Sequence, residues 1–295
     1  MRVSRVTAAV LATVALAACG TSTTPDSAPT TAPATTPSTP SPSPSTSPSI
    51  TPTPTPTQAS TPTPPAWLGS RPLPVTADGF GEVRRTPPAL RERAFTLPDT
   101  VAALPGRGFA SDVVAPAPCR VLDRSTWQPG CPVAADELAW VRVCFHGFDD
   151  RRHTGELLLH RDVADDVVEV FAQLWRARFP IEELRVTRRD ELDAAPTGDG
   201  NNSGAFVCRP VVGGSTYSQH AYGRAVDLNP FQNPYPKGDV VLPELASAYL
   251  DREWRRPGMY DADSAVVRAF DAIGWTWGGT WRTAQDRHHF SLTGG

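Results

Sequence analysis

Across 295 residues, 28 Lys and Arg are nearly balanced by 31 Asp and Glu, leaving a net charge of -3. With no basic excess, and no run of Lys and Arg interleaved with aromatics, composition argues against a nucleic-acid partner. The prolines, 32 in all, crowd into the first third of the chain, so that part differs in kind from the rest.

In chain order, Arg2 and Arg5 precede an apolar run from Val6 to Ala18, too short to span a bilayer as a mature helix, that ends in Leu16-Ala17-Ala18-Cys19. Residues 1–19 therefore read as a signal peptide. The ending resembles the bacterial lipoprotein signal, which implies cleavage before Cys19 and a lipid on that cysteine, hence a membrane-anchored, extracytoplasmic protein. Residues 20–66 are almost wholly Thr, Pro, Ser and Ala, with Asp26 as the only charge. Such a segment cannot bury enough apolar surface to offset its ordering entropy and is expected to be a disordered tether. In polyproline II form, at about 3.1 Å per residue, it would reach on the order of 100 Å.

The remaining part, roughly 230 residues, is enough for one good core, so a single globular domain follows; a monomer is the expectation, though no residue pattern decides it. Residues 67–110 are expected to form an irregular arm, because Trp67 to Pro105 is rich in Pro and Arg with little periodicity. Residues 111–295 are expected to form the folded domain. There, Val141 to Phe145 and Gly155 to Leu159 read as strands joined by a polar turn from Gly147 to Arg152. Val163, Val167, Val170, Phe171, Leu174 and Trp175 recur at helical spacing, with Asp162 placed to cap and Asp165 and Asp166 at the positive end. A strand around Leu184 to Thr187 leads into a loop from Asp193 to Gly204, dense in Gly, Asp and Asn. Ser264 caps a short helix carrying Val267, Phe270 and Ile273, and Gly274 stops it. Strands alternating irregularly with helices give an α+β class.

With Cys19 assigned to the anchor, Cys119, Cys131, Cys144 and Cys208 form an even set suited to an oxidising compartment. Two disulfides are expected. The favoured connectivity among the three possible ones is Cys119 with Cys131, closing a short loop through Pro129-Gly130, and Cys144 with Cys208. A Cys208 thiol nucleophile, beside Arg209 and ahead of His220, is the sharper alternative.

The chemistry concentrates in Ser218-Gln219-His220-Ala221-Tyr222-Gly223-Arg224-Ala225-Val226-Asp227-Leu228-Asn229 and in Asp286-Arg287-His288-His289-Phe290. Strand alternation puts Ala225, Asp227 and Asn229 on one face, with the small Ala leaving space beside the carboxylate. Gly223 lets the chain turn from the histidine segment into that strand. Alternation also separates His289 from His288 and Phe290, so only one of the adjacent imidazoles is expected to face the site. Two imidazoles and a carboxylate can bind one zinc ion, with Asp286 left over for acid–base work. His146, His153 and His160 are assigned to structure or surface.

The pattern Ser-x-His-x-x-Gly-x-Ala-x-Asp-x-Asn, followed by Trp-Gly-Gly-x-Trp at Trp277 to Trp281 and by Asp-x-x-His-Phe, resembles the zinc D-alanyl-D-alanine carboxypeptidase family. That family includes vancomycin-resistance carboxypeptidases and phage endolysin peptidases. The similarity covers about Gly155 to Leu292. The resemblance implies a hedgehog-like, DD-peptidase-like fold with a central antiparallel sheet and flanking helices. It further implies His220, Asp227 and His289 as zinc ligands and Asp286 as the general base toward a zinc-activated water. Arg209 would hold the substrate carbonyl or oxyanion, and Ser218 would lie near the substrate. Many relatives carry Glu where this chain has Asp286, the Asp form being that of the endolysin-like branch. The implied substrate is a peptidoglycan stem peptide, reached from a lipid anchor facing the cell wall of a bacterium.

Other hydrolase designs lack their signatures. Lys237 is the only lysine and Pro234 stands three residues before it, so no Ser-x-x-Lys occurs. Neither a Gly-x-Ser-x-Gly elbow nor a His-Glu-x-x-His helix is present. A non-catalytic, zinc-stabilised wall-binding module is the competing class.

Overall fold

A computed structural model describes residues 62–211 and 216–294. The signal peptide, Cys19 and the expected tether up to residue 61 lie outside the described residues.

Two long strands, β2 (Leu138–His146) and β3 (Arg152–His160), pair antiparallel, and β1 (Ser111–Val114) completes the sheet in the order β1-β2-β3. Both faces of β2 are covered. Ala139, Val141, Val143 and Phe145 join the main core, whereas Leu138 and Trp140 join a second cluster on the opposite face with Val121 and Leu122 of α1 (Cys119–Arg124). The Leu157-Leu158-Leu159 run in β3 is split between the same two cores, which is why it lacks an apolar–polar alternation.

Helix α2 (Ala164–Arg176) lays Val167, Val170, Phe171 and Leu174 on this sheet. Asp165 and Asp166 occupy its first turn, where the helix dipole favours them. Asp162 does not cap it. A 3-10 turn at Arg161–Val163 precedes the helix, so the Asp162 N–H is itself a donor in need of an acceptor, and it finds His160 Nδ1 at 3.2 Å.

The strand expected from Leu184 to Thr187 shrinks to β4 (Glu183–Leu184), paired parallel with β5 (Asn202–Ser203). Its next rung is replaced by a side chain, because Asn202 Oδ1 accepts from Arg185 N at 3.0 Å and Asn202 Nδ2 donates to Arg185 O at 3.0 Å. A second three-stranded antiparallel sheet has the order β6-β10-β9, from β6 (Ala225–Asp227), β9 (Thr276–Trp277) and β10 (His289–Ser291). Between β6 and β9 lie the hairpin of β7 (Tyr235–Lys237) with β8 (Val240–Leu242) and the helix α3 (Ala265–Asp271). The Ser264 hydroxyl accepts from Val267 N at 3.2 Å, capping α3. The architecture is thus mixed α/β with small, mainly antiparallel sheets and few helices; in place of one central sheet there are two three-stranded ones. Val226, Leu228, Phe270 and Phe290 share the main core with β2, β3 and α2.

Residues 67–105 contain one 3-10 turn, Pro88–Leu90, and an isolated bridge between Val75 and Gly81. Leu73, Leu90 and Phe95 pack with Phe231, Leu245 and Tyr249. Arg93, 2% exposed, forks onto Glu182 with Nε–Oε2 at 2.7 Å and Nη2–Oε1 at 2.6 Å.

The cysteine pairing differs from the expectation. Cys131 is bonded to Cys208, while Cys119 is exposed and Cys144 buried as free thiols. Cys144 sits in mid-strand, fully buried and directly across from Thr154, with no route to Cys208. The turn holding Cys131 instead faces the segment after Cys208, where Tyr217 Oη donates to Gly130 O at 3.2 Å. Disulfide mapping of the oxidised protein should recover a Cys131–Cys208 peptide, with Cys119 alkylated in the native state and Cys144 only after unfolding; a Cys119–Cys131 link would contradict this. Glu182→Ala, which strands the Arg93 charge in the interior, should lower the unfolding free energy by about 3–5 kcal/mol in denaturant titration.

Candidate metal centre and active site

The site is built on two backbone devices. The first is a 3-10 turn, Gln219–Tyr222, whose N-cap Ser218 accepts from His220 N at 3.3 Å through its hydroxyl. The turn ends at Gly223 in the left-handed region, φ 67°. A Cβ there would also lie 2.5 Å from His160 N, so glycine is required by conformation and by the close passage of the end of β3. The second is the pairing of β6 with β10, in which Asp227 stands directly opposite His289 and Val226 opposite Phe290. Cross-strand neighbours have their Cβ atoms about 5 Å apart, so the register alone delivers a carboxylate and an imidazole, distant in sequence, to one spot.

His220 completes a triangle. Its Nε2 lies 3.2 Å from Asp227 Oδ1 and 3.0 Å from His289 Nδ1, and His289 Nδ1 lies 3.1 Å from Asp227 Oδ1. His220 Nδ1 donates to the Ala205 carbonyl, which orients the ring and turns Nε2 toward the other two atoms. Among the described residues this is the one group of three His, Cys, Asp or Glu side chains that could hold a metal ion.

The donor set fits zinc. Tetrahedral coordination at about 2.0–2.1 Å places neighbouring ligand atoms about 3.3 Å apart, close to the three edges of this triangle. Burial pushes the His220 imidazole down, but the Asp227 carboxylate raises it further, for a net upward shift. Burial likewise pushes Asp227 up, yet His220 and then His288 hold it well below the usual carboxylate range. The two shifts are largely the two sides of one His220–Asp227 contact. The Asp227 and Asp286 side chains keep some exposure, 27% and 20%, where the two histidine ligands are nearly closed off.

Asp286 stands at the rim. Its Oδ1 is 3.1 Å from His288 Nε2, which is also 3.9 Å from Asp227 Oδ2, so His288 lies between the two carboxylates. His288 Nδ1 is 3.0 Å from Asn233 O. The expectation that His288 would face away is corrected here. Strand β10 begins at His289, and alternation does not govern the residue before it. His288 is the site residue that sequence reasoning missed, and the adjacent pair His288-His289 was the available signal.

The glycines of Trp277-Gly278-Gly279 serve this rim. A Cβ on Gly278 would meet Asp286 O at 2.5 Å, so its absence lets the turn pack onto the Asp286 backbone. Trp277 Nε1 donates to Arg287 O at 2.8 Å, and the Trp281 ring sits 5.4 Å from that of His289.

Arg209 is not brought into contact with the triangle. It is exposed, its Nη1 donates to Pro210 O at 3.2 Å, and it acts on His220 only through its charge, which pushes the imidazole down. Ser218 caps the turn. Cys208, being bridged to Cys131, has no thiol to offer, which removes the cysteine-nucleophile alternative. His146 stacks on Trp175, with centroids 3.9 Å apart, and His153 lies between Asp99 and Asp149.

Residues 212–292 match the family model described as D-alanyl-D-alanine carboxypeptidase. The resemblance carried by the motifs is thus shown for the segment that holds His220, Asp227, Asp286 and His289, a peptidase-family segment; Arg209 and β1 to β5 lie outside the match. No curated protein and no solved structure matches the chain. No helix among the described residues is long and apolar enough to cross a membrane.

Gly223→Ala should cost at least about 1–3 kcal/mol, because the left-handed backbone and the contact with His160 N both oppose a side chain. Thermal denaturation checks this, and an unchanged midpoint would contradict it.

Proposed function

We propose that this protein is a zinc-dependent peptidase that hydrolyses peptidoglycan stem peptides as a carboxypeptidase at a D-amino acid bond, of the D,D or L,D type, on a hedgehog-like domain. The observation that carries the proposal is the His220, Asp227 and His289 triangle with the Asp286 carboxylate at its rim. The family match over residues 212–292 supplies the substrate class.

His220, Asp227 and His289 would hold the metal, which when bound supplies a Lewis acid that polarises a carbonyl and makes water a nucleophile near neutral pH. Asp286 is the general base that takes the proton and then passes it to the leaving amine. Arg209, on a segment next to the His220 turn, would close on the substrate carbonyl once substrate binds. A lipid on Cys19 and a tether over residues 20–66 would hold this domain on the outer face of the cell membrane, within reach of the wall.

The test is purified full-length protein on muropeptides. Loss of a terminal D-amino acid is expected, abolished by chelator and restored by zinc. Asp286→Ala should keep stoichiometric zinc and lose about 10²–10⁴-fold in rate, whereas His220→Ala should lose both. Chelator-insensitive cleavage would refute metal catalysis. Zinc binding without cleavage, equal in wild type and Asp286→Ala, would instead identify a wall-binding module.

A further inference from the structure

Two members of the metal triangle are braced by one short run of chain. Gly204 and Asp227 form an antiparallel bridge, in which Gly204 N donates to Asp227 O at 3.1 Å and Asp227 N to Gly204 O at 2.8 Å. The Ala205 carbonyl accepts from His220 Nδ1, and Val207 N donates to His220 O at 3.3 Å. The backbone from Gly204 to Val207 therefore sets both Asp227 and His220. The next residue is Cys208, bonded to Cys131, which stands 77 residues earlier in the stretch between α1 and β2.

From Ala205 to Cys208 the chain lies in no helix or strand, so no ladder of backbone hydrogen bonds fixes it. Besides the packing of Ala205 and Phe206 into the two cores, it is held by the Cys208 N–H, which donates to Thr126 Oγ1 at 2.9 Å, and by the disulfide. The disulfide alone among these is covalent, and it alone answers to the redox state of the surroundings. Both of its cysteines are partly exposed, and the neighbouring Gln128, Pro129 and Gly130 are exposed, so the bridge lies at the surface. With the bridge opened, the turn at Gly130 keeps one exposed hydrogen bond to this part of the chain, from Tyr217 Oη to Gly130 O.

We infer that the Cys131–Cys208 disulfide is a redox switch on the metal site. Oxidised, it holds the run from Gly204 to Val207 where His220 and Asp227 need it; reduced, it releases that run, and the site loses zinc affinity. The reductant is a dithiol: its thiolate attacks one sulfur, the Cys131–Cys208 bond breaks, and its second thiol resolves the mixed disulfide. The reductant leaves as a cyclic disulfide, and the protein keeps the electron pair and the two protons as two thiols. The site thus closes fully on zinc only in an oxidising compartment, where such a bridge persists. This rests on the metal-centre reading above.

The experiment titrates full-length protein with zinc against a competing chelator, once oxidised and once reduced with a dithiol that is then removed under nitrogen. Zinc affinity should fall about 10–100-fold on reduction, as loss of an outer partner of a ligating histidine typically costs. The double variant Cys131→Ser, Cys208→Ser, which has no released thiols to bind the metal themselves, should show the same fall. Hydrogen exchange read by mass spectrometry on the metal-free protein should lose protection over 204–209 and 218–227 on reduction and keep it over β2 and β3. Equal zinc affinity in the oxidised protein and the double variant would overturn the inference. So would a loss of protection that spreads through β2 and β3, because the bridge would then stabilise the whole domain and not the site. The zinc readout stands whether or not the protein cleaves peptide; if the oxidised protein binds no zinc, the metal-centre reading falls and takes this inference with it.

Discussion

The antiparallel register between β6 and β10 is the constraint on which the site depends. It sets Asp227 across from His289 and, at the same time, buries Val226 and Phe290 in the main core. A slip of one residue would turn the carboxylate toward the apolar core and a valine toward solvent, so core packing and ligand placement enforce each other. The core therefore does what three neighbouring polar side chains could not do alone. It holds three ligand-capable atoms about 3 Å apart at one spot.

The arm contributes to the same strand from outside. Glu182, held by Arg93, also accepts from Asn201 Nδ2 at 2.7 Å, and its backbone N–H donates to Asn229 Oδ1 at 3.3 Å. The Asn229 N–H in turn donates to the Ser203 hydroxyl oxygen at 3.0 Å, two residues after Asp227. Asn201 Oδ1 accepts from Phe231 N at 2.8 Å. A buried charge from the arm thus fixes the chain as it leaves the metal strand, and the network is satisfied almost throughout, as a polar cluster at that depth must be.

Where sequence was informative, the cause was local. Strand alternation through Ala225 to Asp227, the Gly223 turn, the Ser264 cap and the apolar stripe of α2 all depend on residues within a few positions of each other. The long strands β2 and β3 were legible because their runs are apolar. What could not be seen depends on distant packing. The Cys131–Cys208 bridge follows from how the turn at Gly130 meets Tyr217. The shortening of β4 follows from an Asn202 side chain arriving from a later loop. His288 joins the rim because the strand starts one residue later than a pattern of alternation assumes. The arm carries no periodicity to read, since Leu73, Leu90 and Phe95 are irregularly spaced and find their partners beyond residue 230.

The central claim is convergence of His220, Asp227 and His289 on one cation, and anomalous X-ray diffraction at the zinc edge from crystals of the zinc-loaded protein tests it most directly. A single strong peak within about 2.0–2.2 Å of His220 Nε2, His289 Nδ1 and an Asp227 oxygen is predicted. A peak elsewhere, at Cys119 or at the Asp99, His153 and Asp149 cluster, with the triangle left vacant, would contradict it.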